Sequence, residues 1–167
     1  MNPTQAIKET IIFSDLDEQE VKEVIRITKE KRFSKNETIM QEGQEGDSMY
    51  ILVDGNVEVS KTITMKMGED DYTEKEKILT SLKAQDNVIF GEIAMIDKEN
   101  RSASVMATTD CILLEIKRTD FLDLVEKRPQ MGVKVLRKIA ELLANRLRQS
   151  SQDVIRLTTA LSIALSS

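Results

Sequence analysis

The chain has 167 residues, of which 40% are hydrophobic and 32% are charged, and its formal net charge at pH 7 is −5. This composition is typical of a globular protein with one core, and the acidic balance argues against recruitment of nucleic acid by a global basic field. The sequence has no histidine and one cysteine. It therefore excludes an internal disulfide and Ser-His-Asp catalysis, and it argues against zinc, copper or non-haem iron centres.

The cysteine content and the hydropathy of the sequence predict where in the cell the protein resides. No stretch approaches the roughly 18 apolar residues of a membrane span, and the first residues are polar where a signal peptide needs an apolar run. Cys111 stands at the start of an apolar run, so we interpret it as a small buried hydrophobe rather than a reactive thiol. These features predict a cytoplasmic protein without a membrane segment.

The first predicted element is a helix over residues 18–31. Val21, Val24, Ile25 and Thr28 fall at helical spacing, and Asp17 is a credible N-cap.

Short strands separated by Gly, Asp and Asn follow this helix. Asp54-Gly55 lies between two strand-like runs and predicts a hairpin, and residues 68–71 predict an acidic turn. Strands are predicted at residues 38–40, 49–53, 56–67, 77–82, 104–107 and 111–116. This pattern predicts an antiparallel sandwich or barrel of jelly-roll type.

Helical spacing returns after residue 118. A short helix is predicted over residues 119–125, ending near Pro129, and a long helix follows it. The long helix carries positions that alternate at spacings of four and three: Leu136, Ala140, Leu143, Leu147, Ser150, Val154, Leu157, Leu161 and Ala164. This seam predicts a partner helix. The alternative is packing onto its own domain, but residues 136–164 span about 40 Å, longer than such a domain needs.

Residues 90–105 are the most informative stretch. Gly91 and Glu92 open one helical turn, and Arg101 follows with small residues Ser102 and Ala103 before a β-rich run. A carboxylate can accept hydrogen bonds from ribose hydroxyls, while a guanidinium can pair with a phosphodiester. On these residues the segment resembles the phosphate-binding cassette of cyclic nucleotide-binding domains.

The resemblance extends over residues 13–161 and is to the cyclic nucleotide-binding domain of the catabolite activator protein family. It implies that Glu92 binds the ribose 2′-hydroxyl and Arg101 the cyclic phosphate. It also implies that backbone N–H groups of Ile93, Ala94, Ser102 and Ala103 complete the anion cradle, with Gly91 permitting close backbone approach. The Ser102 hydroxyl either contacts the phosphate or is only a small residue that fits.

Ser150 and Ser151 match two hydroxyl residues that meet the adenine in that family. Ser150 also lies in the apolar seam, where it could instead set the register of the helix pair. Asn36 and Asn87 stand where the family often has glycine, and asparagine tolerates the left-handed backbone. The helix-turn-helix domain that follows the dimer helix in the family has no counterpart here, so direct DNA binding is not expected.

These observations predict an α+β fold, in which an antiparallel β jelly-roll (a double-stranded β-helix) is flanked by an N-terminal helix and a long C-terminal dimerisation helix. Residues 1–130 would form the binding domain and residues 131–167 the dimerisation helix. The predicted function is a non-catalytic sensor of cyclic AMP, in preference to cyclic GMP, that forms a homodimer. The alternatives are a structural dimerisation domain without a ligand, a fragment of a larger transcription regulator, and a jelly-roll enzyme of the cupin kind.

Overall fold

The computed structural model describes residues 3–66 and 72–166. Helix α1 (Pro3–Glu9), a 3-10 turn (Ile11–Phe13) and helix α2 (Glu18–Arg26) precede the strands, and helices α3 (Arg118–Lys127) and α4 (Pro129–Leu165) follow them. The strands are β1 (Thr28–Phe33), β2 (Thr38–Met40), β3 (Ser48–Asp54), β4 (Asn56–Lys66), β5 (Tyr72–Lys83), β6 (Ile89–Phe90), β7 (Ser104–Ala107) and β8 (Cys111–Lys117). The acidic turn expected at 68–71 lies outside the described residues.

The strands form two four-stranded sheets, with orders β1-β8-β3-β6 and β2-β7-β4-β5. Their pairings are antiparallel, and apart from β4 and β5 the neighbours in each sheet come from distant parts of the chain. The predicted jelly roll, with helices before and after it, is confirmed. Asn36 and Asn87 adopt left-handed backbone, with φ of 69° and 51°.

Strands β3 and β8 are buried on both faces because they lie between two hydrophobic clusters. Met49, Ile51 and Val53 face a cluster formed with the four helices. Tyr50 and Leu52 alternate with them and face the interior of the β-roll, as the period of two in a strand requires.

The helix predicted over residues 18–31 is correct only for its first part. Asp17 caps α2 through a capping box, since its side chain accepts from the N–H groups of Gln19 and Glu20. The prediction is wrong for residues 28–31, which belong to β1 and pair with β8. Helix propensity of Lys and Glu is a weak signal, and the long-range pairing overrides it.

The hairpin predicted at Asp54-Gly55 is also wrong. Asp54 pairs with Ile112 of β8, whereas Asn56 pairs with Lys83 of β5. The bend therefore carries the chain from one sheet to the other instead of joining paired strands. Gly55 has φ of +92°, and a Cβ there would lie 2.4 Å from the carbonyl oxygen of Asp110.

Helix α4 is 37 residues long, which corresponds to about 55 Å. Its first part packs on the domain through Met131, Val135 and Ile139, which are buried in the cluster of helices. Residues 145–166 are exposed along the rest of the helix. Within residues 3–66 and 72–166, no helix combines the length and the apolar character needed to cross a membrane.

We predict that Gly55→Ala destabilises the protein more than Gly43→Ala. Both glycines have left-handed φ, but a Cβ at Gly43 meets no atom within 4 Å, whereas one at Gly55 meets Asp110 and Cys111. Conformational strain alone should cost about 1–2 kcal/mol at either site, and the overlap should add ~1–3 kcal/mol at Gly55. Urea unfolding of both variants measures the difference, and equal losses would contradict this packing of the bend.

Candidate functional site

A pocket of about 570 Å³ lies between the β-roll and helix α4. Its walls include apolar side chains from β4 and β5, among them Val59, Leu79 and Leu82. The structure brings seven of the predicted site residues together in this lining: Gly91, Glu92, Ile93, Ala94, Arg101, Ser102 and Ala103.

Gly91 leaves room for the side chain of Arg101. Its φ is 76°, and it precedes a 3-10 turn over Glu92–Met95. A Cβ at this position would lie 2.8 Å from Nη1 of Arg101 and 3.0 Å from the carbonyl oxygen of Ser48. Glycine is therefore needed both for the backbone conformation and for the space that the guanidinium occupies.

Hydrogen bonds hold both the backbone and the side chain of Arg101. Its N–H donates to the carbonyl of Gln44 at 2.7 Å, and its own carbonyl accepts from Gly43 at 3.0 Å. Its Nη1 donates to the Ser48 carbonyl oxygen at 2.7 Å, and Nη2 donates to Ser48 Oγ at 3.1 Å. The loop position and the side-chain direction are both fixed.

The charge of Arg101 is only partly compensated. The side chain is half-buried, and no carboxylate within the described parts of the chain forms an ion pair with it. Burial lowers the pKa of the Arg101 guanidinium, against the opposing effect of nearby groups such as Asp47 and Glu92. Arg101 faces the pocket, and the acceptors of its side chain on Ser48 are neutral. A partly desolvated cation without an anionic partner favours an anionic ligand.

Glu92 is almost fully buried, with 1% of its surface exposed. Its Oε1 accepts from Nη1 of Arg146 on α4, whose Nη2 also donates to the carbonyl oxygen of Ile89 at 3.3 Å. Among the residues that the structure describes, Oε2 has no hydrogen-bond partner. A ligand hydroxyl in the pocket would satisfy this oxygen.

Arg146 is a site residue that the sequence analysis missed. Arg146, Gln149 and Asp153 line the pocket, and their spacing of three and seven residues places them on one face of α4. That face is adjacent to the apolar seam. With Leu147 and Val154 assigned to the seam, the same spacing was a signal that could have identified Arg146.

The structure does not bring Ser150 and Ser151 into this pocket. Both are exposed, and Ser151 Oγ donates to the carbonyl oxygen of Leu147 at 2.9 Å. Their contact with a ligand base stays a prediction. Of the expected anion-binding N–H groups, that of Ala94 donates to the Gly91 carbonyl at 3.2 Å.

The pocket thus combines the Arg101 guanidinium, a second guanidinium on Arg146 that is paired with Glu92, the unpaired oxygen of the buried Glu92 carboxylate and several apolar walls. A guanidinium recognises an oxyanion, and a carboxylate accepts from hydroxyl groups. Apolar side chains suit a flat heterocycle. The arrangement therefore suits a small ligand that carries all three features.

We predict that Arg146→Ala lowers the free energy of unfolding by about 1–3 kcal/mol, because it leaves the buried Glu92 carboxylate without its donor. Arg148→Ala is the matched control, since Arg148 is exposed and donates to Asn145 of the same helix. It should change stability by less than about 0.5 kcal/mol. Urea unfolding at one protein concentration compares them, and equal losses would show that the Arg146–Glu92 pair contributes nothing specific.

Comparison with known proteins places this chain in a family. Residues 30–128 match the family described as "Cyclic nucleotide-binding domain". The cAMP-dependent protein kinase regulatory subunit of Candida albicans is 30% identical over 115 residues, which are 69% of this chain and 22% of that protein. The cyclic AMP receptor protein of Thermus thermophilus is 28% identical over 148 residues, which are 89% of this chain and 62% of that protein.

Solved structures agree with the sequence matches. The Thermus thermophilus catabolite activator protein superposes with a TM-score of 0.74 at 28% identity, covering 89% of this chain and 63% of that one. The regulatory domain of Toxoplasma gondii PKA with cAMP gives a TM-score of 0.61 at 26% identity, covering 77% and 47%. The chain spans less than two thirds of each of these relatives. This chain belongs to the cyclic nucleotide-binding domain family, and its fold matches that of the catabolite activator protein.

Proposed function

We propose that this protein is a non-catalytic sensor that binds a purine cyclic mononucleotide, with cyclic AMP preferred to cyclic GMP. The observation that carries the proposal is the half-buried Arg101, which has no carboxylate partner among the described residues and lines the same pocket as Glu92, whose buried Oε2 has no hydrogen-bond partner there. The phosphate would pair with Arg101, and the ribose 2′-hydroxyl would donate to Glu92 Oε2. The purine would lie against the apolar side chains of β4 and β5.

The preference for cyclic AMP rests on the relatives rather than on the pocket. The regulatory subunit from Candida albicans is named as cAMP-dependent, and the Thermus thermophilus relative is named as a cyclic AMP receptor. Cys111 is a buried free thiol, which suits the reducing cytoplasm.

We predict that Arg101→Ala weakens binding of cyclic AMP by about thirty- to several-thousand-fold, because a desolvated phosphate loses its partner at a cost of roughly 2–5 kcal/mol. Isothermal titration calorimetry measures the change. Arg32→Ala is the control, because Arg32 lies on the exposed edge strand and pairs with Glu30. Binding of Arg101→Ala within about threefold of the parent would overturn the role of this residue.

A structural domain that keeps the fold without a ligand is the second candidate. The exposed apolar face of α4 favours it, because dimerisation alone would explain that face. Thermal unfolding separates the two functions. A nucleotide at about a hundred times its dissociation constant should stabilise the protein by ~2.7 kcal/mol, whereas an unchanged melting temperature at millimolar cyclic AMP and cyclic GMP would favour the structural domain.

We further propose that residues 131–167, the predicted dimerisation segment, pair with the same segment of a second copy. Leu147, Val154, Leu157 and Leu161 lie on one face of α4 and are exposed by 59–70% in the single chain. Leu136 and Leu143, earlier in the seam, are partly buried against their own domain. The intermolecular contact would therefore be concentrated in the later turns of the helix, and the ligand could shift the helix only as far as it binds one orientation better.

We predict that Leu157→Lys weakens self-association by at least about tenfold, or ~1.4 kcal/mol, because it places a charge in an apolar helix interface. Ile163→Lys is the matched control, since Ile163 is equally exposed (64% against 70% for Leu157) but lies on the opposite face of α4. Sedimentation equilibrium measures both dissociation constants. Equal effects of the two variants, or a monomeric parent, would contradict pairing through this seam.

A further inference from the structure

Two polar side chains lie inside the β-roll, away from the pocket lining. Tyr50 on β3 and Glu115 on β8 are register partners in the sheet, and each is only 7% exposed. Ser48 lies two residues before Tyr50, so it faces the same interior. Most of the neighbours of Tyr50 there are apolar, including Leu52, Val57 and Leu113, so a carboxylate in this interior needs a reason.

The four side chains from Arg101 to Glu115 form a continuous line of hydrogen bonds. Nη2 of Arg101 donates to Ser48 Oγ at 3.1 Å, Ser48 Oγ donates to Tyr50 Oη at 3.3 Å, and Tyr50 Oη donates to Glu115 Oε1 at 3.1 Å. A guanidinium can only donate and an ionised carboxylate can only accept, so the direction of both hydroxyls is fixed. Bonds aligned in one direction polarise and strengthen one another.

Stability alone does not account for Glu115. Its Oε2 has no hydrogen bond within the described ranges. The Nζ of Lys31 lies 3.6 Å from this oxygen, and the lysine side chain is 47% exposed. A buried carboxylate with such partial compensation is costly compared with an apolar residue of similar size. Its position at the end of the line suggests another role, because it supplies negative charge behind Arg101 without occupying the pocket.

We propose that Tyr50 and Glu115 are positioning residues for the anion site and act on Arg101 through Ser48. This inference rests on the proposed binding of a cyclic phosphate. The line holds one guanidinium N–H, on Nη2, against Ser48 Oγ, and the Ser48 carbonyl oxygen holds another, on Nη1. The remaining N–H groups are left for the anion. Tyr50 also stacks on Phe90 at a centroid distance of 5.6 Å. Packing therefore fixes its ring, while its hydroxyl accepts from Ser48 and donates to Glu115.

The first test is a double-mutant cycle on cyclic AMP affinity. Tyr50→Phe keeps the ring and removes the hydroxyl, and Glu115→Gln removes the charge. Each should weaken binding about threefold to tenfold, whereas Ser104→Ala, which removes a buried hydroxyl bonded to Glu42 instead, should not. In an Arg101→Lys background, Tyr50→Phe should have almost no further effect, because lysine cannot occupy the same two-donor position. Additive losses would overturn the proposal.

The second test needs no nucleotide. Rotation of the Arg101 guanidinium about its Nε–Cζ bond, measured by nitrogen-15 NMR of the free protein, should be slow in the parent and in Ser104→Ala. It should be faster in Tyr50→Phe. Unchanged rotation with only a lower melting temperature would mean that Tyr50 stabilises the fold and does not position Arg101.

The two measurements also separate this inference from the proposed function. A parent protein that binds no cyclic nucleotide would overturn the proposed function, while guanidinium rotation would still decide whether Tyr50 orders Arg101. A parent that binds and loses affinity in Arg101→Ala, but not in Tyr50→Phe, would overturn the positioning role alone.

Discussion

The site depends on how a guanidinium is kept half-buried without an ion-pair partner among the residues that the structure describes. Gly91 and Gly46 leave the space that Arg101 occupies, since a Cβ at either would lie within 3.1 Å of its side chain. The Ser48 carbonyl and hydroxyl then accept two of its N–H groups. These neutral acceptors fix the direction of the side chain while leaving most of its charge for a ligand. The proposed anion site is therefore part of the packing of the β-roll.

Helix α4 is coupled to this site through the buried carboxylate of Glu92. Arg146 reaches from the helix to the buried Glu92, so the position of α4 and the hydrogen bonding of Glu92 depend on each other. A ribose hydroxyl at Oε2 would join the same group. Beyond Arg146 the helix leaves the domain and exposes its apolar seam. The proposed ligand site and the proposed pairing helix are thus joined at a single carboxylate, which would be the physical link between them.

The sequence was sufficient for the features that depend on local chemistry. The cap at Asp17, the left-handed Asn36 and Asn87, the short turn after Gly91 and the long helix all carry signals within a few residues. The pairing of distant strands could not be predicted from local sequence. This pairing makes residues 28–31 a strand, places the bend at Asp54-Gly55 between two sheets, and makes Tyr50 the register partner of Glu115. Helix α1 was not predicted, because residues 3–9 are buried only through Ala6 and Ile7. Arg146 was not predicted because the sequence analysis interpreted only the apolar seam of α4, and Arg146 lies on the neighbouring face.

The most direct measurement is a crystal structure of the protein grown with cyclic AMP. The account predicts the cyclic phosphate within hydrogen-bond distance of the Arg101 guanidinium, and the ribose 2′-hydroxyl donating to Glu92 while Arg146 remains on the same carboxylate. A nucleotide bound outside the pocket between the β-roll and α4 would contradict the account. A phosphate paired with Arg146 instead of Arg101 would contradict it equally.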